Sequence, residues 1–96
     1  MKNYEDTVIV SELKTELENE GQIDYRLIYH KVGELYGVEG MGYSIEIVSW
    51  INGEKEEIFL EDVTRDRENA VWIIGLFAEN AVTPDSAEYI IEDILS

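Results

Sequence analysis

The chain has no cysteine, and this absence excludes several kinds of site. Without thiols the chain has no disulfide, no thiolate metal ligand and no cysteine nucleophile. Such composition fits a reducing compartment, so we expect a cytoplasmic protein. His30 is the only histidine, and a zinc site built from one imidazole and several carboxylates would lack the usual second nitrogen or sulfur ligand. We therefore predict neither a metal nor a cofactor.

Long apolar runs are also missing. No stretch reaches the roughly 18 consecutive apolar residues of a membrane-spanning helix. The N-terminal segment, MKNYEDTVIV, is acidic where a secretion signal would be basic. We expect no association with a membrane.

Motifs for catalysis are missing as well. No loop has the spacing of a calcium-binding EF-hand, and no motif marks a Ser or Thr as a partner of His30. The glycine-rich segment Gly33–Gly42 leads into a predicted strand and carries Glu34 and Glu39, whereas a phosphate loop leads into a helix and has a nearby lysine. The sequence therefore predicts a protein that is not an enzyme.

Basic residues are scarce. Lys and Arg number 7 against 22 Asp and Glu, which gives a formal net charge of −15, and no basic residue follows Arg67. Such a charge repels nucleic acid and anionic membranes, because binding to phosphate requires Lys and Arg. It attracts basic protein surfaces, although a high net charge also serves solubility alone. We expect no direct contact with nucleic acid, and a basic protein surface as the partner.

What the sequence does contain is a strong hairpin signal at Tyr43–Leu60. Asn52-Gly53 stands between two runs of β-branched and aromatic residues and favours a two-residue type I′ turn. The turn places Ile51 opposite Glu54 and so fixes the register. One face then carries the core residues Tyr43, Ile45, Ile47, Ile51, Ile58 and Leu60. The other face carries Ser44, Glu46, Val48 and Trp50, opposite Lys55, Glu57 and Phe59.

The residues before this hairpin predict a second strand pair. Ser11–Glu20 has two possible structures. The spacing of Leu13 and Leu17 fits a short helix, while the alternation of residues from Ile9 to Leu17 fits a strand with one buried face. We favour the strand, followed by a turn at Asn19–Gln22 and a return strand at Ile23–Val32. Gly33–Gly42 is either a loop or a broken strand edge, and we expect a flexible contact loop. Its apolar members are Leu35, Tyr36, Val38 and Met41.

The residues after the hairpin predict two helices. Glu61–Thr64 ends the sheet, and Thr64 or Asp66 caps a helix that runs to about Asn80. Its predicted core stripe is Ala70, Val71, Ile74, Phe77, Ala78 and Ala81. Trp72, Ile73 and Leu76 lie off this stripe, and are either covered by the sheet and the second helix or form the interface of a homodimer. Gly75, in mid-helix, would be explained by a close helix crossing.

Thr83-Pro84-Asp85 begins the second helix, with Thr as the cap and Pro in the first turn. Its apolar face is Ala87, Ile90, Ile91, Ile94 and Leu95, and its opposite side is acidic at Asp85, Glu88 and Glu92. The chain 1–96 is thus predicted to be one two-layer α+β domain. A four-stranded antiparallel sheet comes first and two C-terminal helices cover one face, in the order ββββαα.

Several segments resemble a known family. They are Tyr25-Arg26-Leu27, Tyr43–Ile47, Leu60–Asp66, Val82-Thr83-Pro84 and Ile91–Leu95. With these segments, about three quarters of the chain resembles a family of small bacterial proteins numbered as domain of unknown function 6514, seen mainly in Firmicutes. The resemblance implies strands followed by helices and a cytosolic protein of bacterial or phage origin. It implies no catalytic residue.

Two hypotheses for function follow from the charge and the apolar residues. The first is a non-enzymatic module that docks on a basic partner surface, in its strongest form an inhibitor that mimics nucleic acid, as some phage-encoded inhibitors of bacterial defence do. The predicted contacts are Glu46, Glu54, Glu56, Glu57, Glu88 and Glu92, with Trp50 and Phe59 as apolar anchors. The alternative is a structural or regulatory homodimer through Trp72, Ile73 and Leu76, in which the charge serves solubility.

Overall fold

A computed structural model of the protein describes residues 7–35 and 38–95, without the side chains of residues 33–35, 38 and 39. The strands are β1 (Val8–Leu17), β2 (Gly21–Leu35), β3 (Val38–Ile51) and β4 (Glu54–Thr64), and the helices are α1 (Arg67–Glu79) and α2 (Pro84–Leu95). The sheet is antiparallel in the order β1-β2-β3-β4, with β1 and β4 at its edges. The predicted two-layer fold and its order ββββαα are confirmed.

The hairpin between β3 and β4 has the predicted turn. Asn52 and Gly53 both have positive φ, 52° and 80°, as a type I′ turn requires. Ile51 lies opposite Glu54, and the same register places Ile47 opposite Ile58. The predicted assignment of residues to the two faces of this hairpin is therefore confirmed.

Ser11–Glu20 forms a strand rather than a helix up to Leu17. Leu13 pairs with Tyr25 and Thr15 with Ile23, so the alternating residues of β1 follow the buried residues of β2. The chain then turns through Glu18–Glu20 and enters β2 at Gly21, whose φ is 147°. A Cβ at Gly21 would lie only 1.7 Å from the carbonyl oxygen of Trp50, so this position accepts only glycine.

The predicted flexible loop at Gly33–Gly42 is wrong for its described residues. β2 continues to Leu35, β3 begins at Val38, and Gly33 pairs with Gly40, so the segment extends a hairpin. A Cβ at Gly42 would lie 2.6 Å from Oδ1 of Asp62, so this glycine makes room for the neighbouring strand. Tyr36, which we expected in the loop, lies outside the described residues.

Glu61–Thr64 ends the sheet as predicted, and it does so as the last part of β4. β4 runs to Thr64, and its pairing with β3 becomes irregular between Tyr43 and Ile45. Asp62 has a positive φ of 50° at this irregularity. The segment is a β-bulge, which bends the strand end before α1 begins.

The core lies between the sheet and the helices. Its members are Ile23, Tyr25, Leu27, Tyr43, Ile45, Ile47, Leu60, Val63, Ala70, Ile73, Ile74, Phe77, Val82 and Ala87. Two residues of α1 differ from the predicted core stripe, because Ile73 is only 1% exposed while Val71 is 48% exposed. The inward arc follows Ala70, Ile73, Ile74 and Phe77, the i, i+3, i+4, i+7 spacing of one helix face. The expected close crossing at Gly75 is also wrong, since a Cβ there would meet no atom within 4 Å.

Polar contacts fix the helices on the sheet. Asp66 caps α1, where its Oδ1 accepts the N–H of Glu68 at 2.8 Å. The hydroxyl of Tyr25, inside the core, donates to the carbonyl of Val82 at 2.7 Å. Thr15 donates to the carbonyl of Ala78. Burial raises the pKa of Tyr25 to about 12, because the core disfavours the charged phenolate.

Candidate functional site

The predicted contact residues do not form one continuous surface. Glu46, Trp50, Glu57 and Phe59 lie on the face of the sheet that carries no helix, which we call the open face. Glu54 and Glu56 alternate with Lys55 and Glu57 on β4 and therefore point to the other face, beside the Asn52-Gly53 turn. Glu88 and Glu92 lie on the exposed side of α2.

The open face is mixed in charge rather than acidic. Arg26 contacts Glu12 at 3.1 Å and Glu46 at 3.4 Å, and Lys55 lies 3.8 Å from Glu57. Lys55 Nζ also lies 5.1 Å from the centroid of the Trp50 ring, within the range of a cation–π contact. A basic partner on this face would have to displace cations that the protein already provides.

The exposed side of α2 is acidic without such compensation. Asp85, Glu88, Tyr89 and Glu92 follow the i, i+3, i+4, i+7 spacing and lie on one side of the helix. We call these four residues the α2 stripe. The Tyr89 side chain is 72% exposed, the highest value among the large apolar residues reported for the described part of the chain. Glu88 and Glu92 have no cationic partner among the described residues.

The charge of the whole helical layer reinforces the α2 stripe. After Arg67 the sequence contains only acidic charges, at Glu68, Glu79, Asp85, Glu88, Glu92 and Asp93. Glu88 and Glu92 were predicted from the sequence as contact residues, whereas Tyr89 was not. The spacing could have identified it, since Tyr89 stands four residues after Asp85 and three before Glu92 and therefore shares their side of the helix.

A second exposed surface lies between α1 and the edge strand β1. A shallow groove, which we call the β1–α1 groove, is bordered by Leu13, Val71, Trp72, Gly75, Leu76, Ala78 and Glu79. Trp72 is 56% exposed and Leu76 is half-buried. Ile73, the third residue of the predicted dimer interface, belongs to the core and offers no surface to a partner, which corrects that prediction.

His30 and Ser44 are close together, but Ser44 is buried. Ser44 Oγ lies 2.5 Å from Nε2 of His30 and accepts the N–H of Asp62 at 2.9 Å. A serine beside a histidine can serve as a nucleophile. Here the Ser44 side chain is 0% exposed, so a substrate cannot reach Oγ, and the contact anchors the β-bulge at Asp62.

Among the described residues, no group of three or more His, Cys, Asp or Glu side chains is placed to hold a metal ion. Neither α1 nor α2 has the length and apolar character that crossing a bilayer requires.

The comparison with protein families matches residues 4–96 to DUF6514, described as a family of unknown function. The chain belongs to this family. The DUF6514 match begins upstream of Tyr25, where the resemblance noted from the sequence begins, so β1 is part of the shared domain. No curated protein and no solved structure matches this DUF6514 chain.

Proposed function

We propose that this DUF6514 protein is a non-enzymatic binding module whose α2 stripe docks on a basic surface of a partner protein. The observation that carries the proposal is a row of three carboxylates beside an exposed tyrosine. The sequence that follows Arg67 contains no basic residue to neutralise them. Surfaces of opposite charge attract at long range and accelerate encounter. Tyrosine is enriched among the residues that dominate binding energy at interfaces.

The geometry favours the α2 stripe over the open face. Glu46 and Glu57 already contact Arg26 and Lys55, so a partner gains less by approaching them. Glu88 and Glu92 are exposed, and no cationic side chain among the described residues contacts them, so a partner has no cation to displace there. We therefore assign Glu88, Tyr89 and Glu92 the main contacts, with Asp85 at the first turn of the helix.

A narrower form of the proposal is that the partner is a nucleic-acid-binding protein and that the carboxylates occupy its phosphate-binding groove. The stripe spreads its three carboxylates over about 10 Å of helix axis, given a rise of about 1.5 Å per residue. A row of negative charges of this length can face several Lys or Arg side chains at once. Inhibition of a defence nuclease, as some phage proteins achieve, would be one use of such mimicry.

The test compares two sets of charge-neutralising variants in affinity capture from the source cell. The helix set is D85N, E88Q and E92Q combined, and the matched sheet set is E46Q and E57Q combined. We expect the affinity of the helix set for the partner to fall about tenfold or more. Each of the three exposed ion pairs contributes modestly to the binding free energy, and the three contributions add. The sheet set should bind the partner with the affinity of the wild type.

The captured partner is then titrated against the purified protein at low and high salt. Affinity should fall as salt rises, because counterions screen exposed charges. If a short DNA duplex competes with the protein for the partner, the result supports the proposal that the partner binds nucleic acid. If the duplex does not compete, only this narrower form of the proposal is refuted. A partner that binds the helix set as well as the wild type, or binding that salt does not weaken, overturns the proposal.

A further inference from the structure

The outer edge of β1 is open and carries several exposed apolar side chains. β1 pairs with β2 on one side, and no strand of the described chain lies on its other side. Val8, Ile9 and Leu13 of this edge are exposed. Unpaired backbone N–H and C=O groups at such an edge are a template for another strand. We propose that β1 pairs antiparallel with β1 of a second copy of the chain, with the twofold axis at Leu13.

The charges on β1 select this register. With the axis at Leu13, Glu12, which Arg26 of its own chain also contacts at 3.1 Å, lies opposite Lys14 of the second copy. By symmetry, Lys14 lies opposite Glu12 of the second copy. Moving the axis to Lys14 would place the two lysines opposite each other and Glu12 opposite Glu16. Like charges directly opposite are destabilising and opposite charges are stabilising. The irregular pairing between Ile9 and Ser11 limits regular pairing to the part of β1 that follows it.

The helix side of the sheet supports the same arrangement. Leu13 borders the β1–α1 groove together with Trp72 and Leu76. An axis at Leu13 brings the grooves of the two copies together, so that Trp72 and Leu76 of each copy lie near their counterparts. The apolar surface beside the strand edge is thereby covered at the same time as the backbone groups are paired.

The pairing would join two four-stranded sheets into one continuous sheet of eight strands. It is independent of the proposed docking through α2, because α2 packs on β3 and β4, away from the β1 edge. A dimer would present two α2 stripes to partners. Either proposal can fail while the other holds.

Cysteine cross-linking tests the register directly, because the natural chain has no cysteine. In L13C the two introduced residues face each other across the axis, where cross-strand Cβ atoms lie about 4.5–5.5 Å apart, close to the spacing of a disulfide. We expect mild oxidation to give a covalent dimer of L13C in at least tenfold greater yield than of K14C. K14C is the matched control, one residue along the same exposed strand, and E57C on the opposite edge measures random collision.

The groove is tested by W72E in sedimentation equilibrium. Trp72 is already exposed, so this variant should fold, which circular dichroism checks, and it should shift the population to monomer. Raising salt should strengthen the dimer, because it screens the repulsion between two chains of net charge −15. A wild type that remains monomeric at high concentration and high salt overturns the proposal. So does a yield for L13C no higher than that for E57C, while preferential cross-linking of K14C overturns the register.

Discussion

The hydroxyl of Tyr25 is the buried link between the sheet and the connection of the two helices, and its removal is a sharp test of the fold. In Y25F the hydrogen bond to the Val82 carbonyl, 2.7 Å long, is lost while the ring remains. The carbonyl of Val82 is then left without this donor. We expect the free energy of unfolding to fall by about 1–3 kcal/mol, the cost of leaving a buried polar group unpaired.

The pKa of Tyr25 adds a dependence on pH. Burial raises it from 10.0 to about 12, so the folded state binds the phenol proton more tightly than the unfolded state does. The stability from the neutral phenol is present in full below pH 10 and is lost as pH rises through 10 to 12. A shift of this size corresponds to about 2–3 kcal/mol, at about 1.4 kcal/mol per pKa unit. Y25F lacks this titration.

Urea unfolding at several pH values measures both effects. At pH 7–9 the midpoint of Y25F should lie below that of the wild type by about 1 M, and the gap should narrow as pH rises above 10. Comparing the two proteins cancels the titration of lysines and of the other tyrosines. Y89F is the control, because Tyr89 is exposed and its variant should follow the wild type at every pH. A gap that stays constant up to pH 11, or equal effects of Y25F and Y89F, would refute this account.

Other stability predictions concern the backbone. G75A should raise the free energy of unfolding by about 1 kcal/mol, measured by urea at concentrations that keep the chain monomeric, because alanine favours the helix and a Cβ there meets open space. G21A should prevent cooperative folding or lower the melting temperature severely, because its Cβ would overlap the carbonyl oxygen of Trp50; a melting temperature like that of the wild type would contradict this. D66A should lower the free energy of unfolding by about 1 kcal/mol, because the cap of α1 is lost. D66N should lower it less, because its side chain can still accept the N–H of Glu68.

Much of the fold could be predicted because its signals are local. Asn52-Gly53 sets the register of a whole hairpin, and Thr83-Pro84-Asp85 marks a helix start, each from adjacent residues. The errors arise where residues distant in sequence decide the outcome. The sequence around Gly42 is typical of a loop. The structure shows a different reason for the glycine, because Asp62 on another strand occupies the space that a side chain would fill.

The buried face of α1 could not be located from periodicity for a similar reason. The helix is apolar on several sides, and the arc that faces inward depends on how it lies over β1 and β2. Ile73 therefore belongs to the core and Val71 to the surface. The candidate site was predicted in part, since composition indicates acidic residues but only the fold separates Glu88 and Glu92 from the ion-paired Glu46 and Glu57.

The order of the strands in the sheet has a consequence for how the chain folds. Each strand pairs with its neighbour in sequence, so the sheet closes only short loops, at a small cost in entropy. By contrast, the bonds from Tyr25 to Val82 and from Thr15 to Ala78 span 57 and 63 residues. Topologies rich in contacts between sequence neighbours fold quickly. The meander can therefore assemble hairpin by hairpin before its two helices dock.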